Sequence, residues 1–235
     1  MNITTVLFDL DGTLLPMDQD LFIRTYFGSL VKKMAPHGYD PKKLMDAVWA
    51  GTAAMVKNDG NVTNEAVFWQ SFESFFGPGS RRDEPLFRSF YETEFQNAKS
   101  VCGCNPEAAR LIHDLKEMGL RTVLATNPLF PAIATKSRTR WAGLHPADFE
   151  LITVYENSRH CKPNPAYYRD ILETLNLRPE ECLMVGNDAE EDMVAESLGM
   201  KVFLLTDCLL NRHGRDISSY PQGSFPELRE YIKSL

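Results

Sequence analysis

Four short apolar runs, each ending at polar or small residues, constrain what this chain of 235 residues can fold into more than any other feature. They are Ile3–Phe8, Arg121–Ala125, Cys182–Gly186 and Lys201–Leu205, with Leu151–Val154 a weaker fifth. Their shortness and their β-branched and aromatic content read as strands buried on both faces. Helical patterns lie between them: Pro106–Met118 closed by Gly119, Pro165–Leu175, and Glu190–Leu198 closed by Gly199. A glycine just past a helix, followed by a strand, is the connection of a parallel α/β sheet. A sheet covered by helices on both faces binds its ligands beyond the carboxyl ends of the strands. Those ends carry Asp9 and Asp11 after the first run, Thr126 and Asn127 after another, and Asn187 and Asp188 after a third.

The stretch from about Asp18 to Lys99 breaks the alternation. Aromatic and aliphatic residues recur there at helical spacing, as in Phe22, Tyr26 and Leu30, then Phe68/Trp69, Phe72 and Phe75/Phe76, then Phe87, Phe90/Tyr91 and Phe95. Stripes of this kind belong to a helical core rather than to a ligand-stacking surface. The segments Leu15-Pro16-Met17 and Ser100–Pro106 bound the unit as plausible hinges. The expected organisation is a sheet domain of residues 1–15 and 100–235, with residues 16–99 inserted as a four-helix unit over the mouth of the sheet.

The composition, 43% hydrophobic and 24% charged, is that of an ordinary globular protein. A formal charge of −7 argues against general affinity for nucleic acid, whose phosphates are gripped by clustered Lys and Arg. Five irregularly spaced cysteines do not make a disulfide framework, and Cys102-Gly-Cys104 lacks the second Cys or His cluster of a zinc site. The start, Met1 to Thr5, lacks a basic segment leading into a long apolar run, and no stretch of about 18 apolar residues occurs. A soluble, cytoplasmic protein with no membrane partner is expected, with its oligomeric state left open.

Two carboxylates at i and i+2 after a buried strand, followed by Gly12, can take different roles: one to bind a metal and attack, the other to hold a proton. The segment Asp9-Leu10-Asp11-Gly12-Thr13-Leu14 resembles the signature Asp-x-Asp-Gly-Thr of the haloacid dehalogenase-like (HAD) hydrolase superfamily. Three further elements follow in the family's order. Thr126, in Ala125-Thr126-Asn127, is similar to the hydroxyl residue that bonds the transferring phosphoryl group. Lys162, in Cys161-Lys162-Pro163, is similar to the family's lysine beside nucleophile and phosphate. Val185-Gly186-Asn187-Asp188-Ala189-Glu190-Glu191-Asp192 resembles the acidic metal-binding motif, with Asn187 standing where many members have Asp.

The resemblance implies a Rossmann-like doubly wound parallel sheet with an inserted helical cap of the first type. It implies a Mg2+-dependent phosphatase acting on a small phosphorylated metabolite through an aspartyl-phosphate. In that scheme Asp9 is the nucleophile and Asp11 the general acid/base. Asp9, the backbone carbonyl of Asp11 and Asp188 bind the metal, the choice of Asp188 over Asn187 and Asp192 being left open by the sequence, while Thr126, Asn127 and Lys162 bind substrate. Asn187 and Asp192 orient these groups from behind, and Glu190 and Glu191 favour a helix start and face solvent.

Three rivals are weighed against it. A haloacid dehalogenase is disfavoured by Asp11, because those relatives lack an acid at that position. A phosphomutase of the same superfamily shares all four elements. A non-catalytic phosphometabolite-binding protein has no need of the intact set. The five histidines, Arg159 and the run Asn211–Arg215 read as packing or solvated positions.

Overall fold

The computed structural model describes residues 3–235. Strand β1 (Thr5–Phe8) opens the sheet, and four helices follow before the chain returns to it: α1 (Gln19–Met34), α2 (Pro41–Val56), α3 (Asn64–Phe76) and α4 (Glu84–Glu92). The rest runs α5 (Pro106–Glu117), β2 (Arg121–Leu124), α6 (Ala132–Trp141), β3 (Leu151–Ile152), α7 (Pro165–Leu175), β4 (Cys182–Gly186), β5 (Lys201–Leu205), β6 (Gln222–Gly223) and α8 (Phe225–Lys233).

All strand pairs are parallel, in the order β3-β2-β1-β4-β5-β6. From β1 the chain winds outward to β2 and β3, then crosses back to lay β4 on the other side of β1. The winding direction thus reverses between β1 and β4, and a crevice opens there at the strand ends. β1 is registered with both neighbours, Thr5 lying opposite Arg121 and Cys182.

Alternate side chains enter different cores, as a pleated strand requires. Val6 and Phe8 of β1, Leu183 and Val185 of β4 and Phe203 of β5 join α5 and α8 on one face. Leu7, Met184, Val202 and Leu204 join Tyr167, Tyr168 and Ile171 of α7 on the other. The first core continues without a break into the inserted helices, through Phe22, Tyr26, Phe72, Phe90 and Phe95. Ring pairs such as Phe95–Trp141, with centroids 5.1 Å apart, join the insertion to α6. The segments entering and leaving the insertion run side by side: Gly103 N–H donates to the Pro16 carbonyl at 2.7 Å, and Met17 bridges Cys102.

The sequence reading departs from this structure in five elements. The expected helix Glu190–Leu198 is a turn followed by a 3-10 helix, Met193–Leu198. There the Asp188 carboxylate captures the N–H groups of Glu190 and Glu191, at 2.8 and 2.9 Å, and so competes with an α-helical start. Strand β6 and helices α6 and α8 are additional, and β3 is limited to two residues. No helix among the described residues is long and apolar enough to cross a membrane.

Candidate active site

The loop after β1 is set by hydrogen bonds and by one glycine. Asp9 N–H donates to Val185 O of β4 at 2.9 Å, and Leu15 N–H turns back to Leu10 O at 2.8 Å. Gly12 has φ +89°, and a methyl group there would overlap the Asn187 amide, so only glycine fits this position. The Thr13 hydroxyl hydrogen-bonds Asn187 Oδ1 at 2.9 Å and lies 3.3 Å from Asp9 Oδ2.

Lys162 is 1% exposed and donates to Asp9 Oδ1 at 2.8 Å and to Asp192 Oδ1 at 2.7 Å. Burial alone would lower its pKa, but Asp192 and Asp9 outweigh that and hold the ammonium charged. The same burial raises the Asp192 carboxyl, with Lys162 pulling it back. Asp192 Oδ2 takes the Asp188 N–H at 2.9 Å, and its carboxylate lies so close to Gly186 that no Cβ could stand there.

A cavity of about 340 Å3 opens in front of this framework. Asp9, Asp11, Thr126, Asn127, Asp188 and Glu191 are among its walls. Lys162 stands behind Asp9 rather than on the wall. The Asn127 amide is committed to the protein: it accepts from Lys162 N–H at 3.2 Å and donates to Glu191 Oε2 at 2.9 Å. Asn187 is committed as well, to Thr13 and to the Cys208 carbonyl at 2.7 Å. The Thr126 carbonyl is held by Thr153 and Tyr167, at 2.6 and 2.9 Å, while its hydroxyl makes no hydrogen bond to protein among the described residues. On Asp188 the two turn N–H groups occupy Oδ1, leaving Oδ2 without a protein donor among those residues.

Sequence reasoning missed three groups that stand at or beside this cavity. Arg138 of α6 is fully buried, forms an ion pair with Asp11 Oδ2 and lies 4.4 Å from the centre of the Phe130 ring. Asp11 Oδ1 is buried without a partner among the described residues. Burial raises the Asp11 carboxyl above the ordinary carboxylate range, with the Arg138 charge opposing in part. Glu191, expected in solvent, lies on the cavity wall and is also raised by burial, Lys162 opposing and Asp188 adding to the rise. Arg212, from the run read as a solvated loop, lines the cavity and donates to Gln19 Oε1 at 2.7 Å. No signal in the sequence around Arg138 separates it from its neighbours Lys136 and Arg140. His160 packs against Gly60 and hydrogen-bonds Asp170 at 2.8 Å, in keeping with a packing role.

The match to known proteins follows this geometry. Residues 3–197 match the family model described as haloacid dehalogenase-like hydrolase. The chain is 25% identical to a phosphoglycolate phosphatase of Colwellia psychrerythraea, over 98% of this chain and 96% of that one. It is 26% identical to the pyrophosphatase PpaX of Bacillus cereus, over 90% and 87% of the two chains. A 2-haloacid dehalogenase structure from Pseudomonas syringae superposes with a TM-score of 0.65 at 20% identity, covering 99% of each chain, which is a likeness of fold. The chain therefore belongs to the haloacid dehalogenase-like hydrolases.

Proposed function

We propose that this chain hydrolyses small phosphomonoesters with magnesium as its metal and Asp9 as its nucleophile. It is a phosphatase of the haloacid dehalogenase-like family. On this reading residues 16–99 form a cap over the catalytic unit of residues 1–15 and 100–235. The observation that carries the proposal is that β1 ends in a carboxylate, Asp9, which faces the cavity while Lys162 and Thr13 fix it from behind.

The donor set fits magnesium. Among the described residues no three His, Cys, Asp or Glu side chains gather into a closed metal cage. Magnesium needs none, because it binds through one or two carboxylates and keeps several waters. Asp9 and Asp188 share the cavity, Asp188 Oδ2 has no protein donor, and the Asp11 carbonyl accepts no backbone hydrogen bond among the described residues. All three donors are hard oxygens, as magnesium prefers. Among the described residues five carboxylates line the cavity against one cation, Arg212, so an anionic substrate would be repelled without a further positive charge. Magnesium bound there would supply that charge and polarise the phosphoryl oxygens.

The chain's own groups account for the remaining chemistry. An Asp9 oxygen attacks phosphorus as the bond to the leaving oxygen breaks, and Asp11 gives that oxygen its proton. Asp11 then takes a proton from the water that attacks the aspartyl-phosphate, which frees phosphate and restores Asp9. The Thr126 hydroxyl stabilises charge on the phosphoryl oxygens, while the Lys162 ammonium, behind Asp9, offsets the charge of the attacking carboxylate. Asn127, Asn187 and Asp192, whose side-chain atoms are taken up by protein partners, position these groups.

Phosphate release from a small phosphomonoester should require magnesium, stop on chelation and return when the metal is restored. Full activity in the Asp9→Asn protein would sink the assignment of the nucleophile.

A further inference from the structure

The catalytic cavity adjoins a second one, of about 160 Å3, between the inserted helices and the loop before α6. The two share Phe22, Ile23, Trp49, Leu129 and Phe130 as walls. The annex is further lined by aromatic rings, including Phe68, Trp69 and Tyr155, and no charged side chain is among its lining residues. Trp49 at its rim is 50% exposed and rests against the Phe27 ring, with centroids 5.3 Å apart, so much of its surface is open to the cavities and solvent.

A leaving group that is itself an anion, such as glycolate or phosphate, would need cations on this side of the site. Among the described residues the one cation on either wall is Arg212, already bonded to Gln19. An uncharged ring would instead exchange water for aromatic faces and edges.

Resting on the phosphatase reading above, we propose that the annex holds the leaving group and that the substrate is the phosphomonoester of an uncharged, ring-bearing alcohol. The phosphoryl group lies at Asp9, and the ring lies between Trp49 on one side and Phe130 on the other. Trp69 Nε1 is buried in the annex wall next to the Tyr155 hydroxyl, and the two offer hydrogen-bonding groups to an oxygen carried on the ring.

The test compares two esters of similar leaving-group acidity, 2-(1-naphthyl)ethyl phosphate and ethyl phosphate, with 2-phosphoglycolate and pyrophosphate alongside. With magnesium, kcat/KM for the naphthyl ester should exceed that for ethyl phosphate by about 100-fold, the scale expected for burying an aromatic body. Trp49→Ala should shrink that ratio by about 10-fold. In parallel, calorimetry on the Asp9→Asn protein with magnesium measures binding of the two matching phosphonates, which cannot turn over. A naphthyl preference in binding without turnover of any ester would uphold the annex and overturn the phosphatase reading. Turnover with ethyl phosphate, phosphoglycolate or pyrophosphate matching the naphthyl ester would overturn the annex and leave the phosphatase reading standing. Neither turnover nor a binding preference would overturn both.

Discussion

The floor and the roof of the cleft are built on opposite plans. On the floor nearly every side chain has its own polar tie: Lys162 to two carboxylates, Asn127 to Lys162 and Glu191, Asp188 to two turn N–H groups. On the roof the rings hold one another, as in the edge-to-face pairs of Phe72 with Phe87 and Tyr26 with Phe90. Removing one group from the floor strands its partners in a dry place, whereas removing one ring from the rim of the roof only thins a contact. The floor should therefore tolerate almost no substitution, and the roof should trade substrates while the fold survives.

The largest expected effect is on the floor. Asp9→Asn should lower kcat by at least about 10^4-fold, the scale of losing a covalent nucleophile, while far-UV circular dichroism stays unchanged. Asp11→Asn should cost about 10^2 to 10^4-fold through loss of the proton donor. Arg138→Met at the same junction should leave Asp11 buried without its ion pair and depress kcat more than it changes KM.

Lys162→Met couples activity to stability. It leaves Asp9 and Asp192 facing each other without their shared cation, and a loss of about 3–5 kcal/mol is expected in urea unfolding. The double variant Lys162→Met/Asp192→Asn should recover part of that loss, and a simple sum of the two single effects would contradict the shared-cation picture.

How legible the two regions were in the sequence follows the same division. The floor could be read from short motifs, because its chemistry sits on residues next to strand ends: Asp9 after β1, Thr126 after β2, Asp188 after β4. The roof could be read only as periodic aromatics, since spacing shows which face is buried but not which rings border a cavity. Arg138 escaped because its partner is far away in sequence and its own helix turn is simply basic. Glu191 escaped because adjacent acids at a helix start are normally solvated, and here side-chain capture of the turn by Asp188 replaced the helix and turned Glu191 inward. Strand β6 is too short to leave a pattern.

The roof predicts effects on stability, graded by burial, rather than on the chemical step. Phe72→Ala, inside the inserted helices, should cost about 3–5 kcal/mol. Trp49→Ala at the half-exposed rim should stay within about 0.5 kcal/mol, and a large loss would show that Trp49 is structural. Smallest is a chemical difference between thiols. Burial pushes Cys161, at the junction with the roof, up to about 12, so little thiolate forms at pH 8, whereas Cys104 is exposed. Iodoacetamide at pH 8 should label Cys104 and spare Cys161 by peptide mass. Labelling of Cys161 in the folded protein would show that the roof opens at that junction.

The central claim is that Asp9 carries the phosphoryl group. Turnover of a phosphomonoester with magnesium, quenched and reduced with borohydride, should convert residue 9 to homoserine in the peptide that contains it. Sustained phosphate release with residue 9 always recovered as aspartate, or with the modification on another residue, would contradict the account.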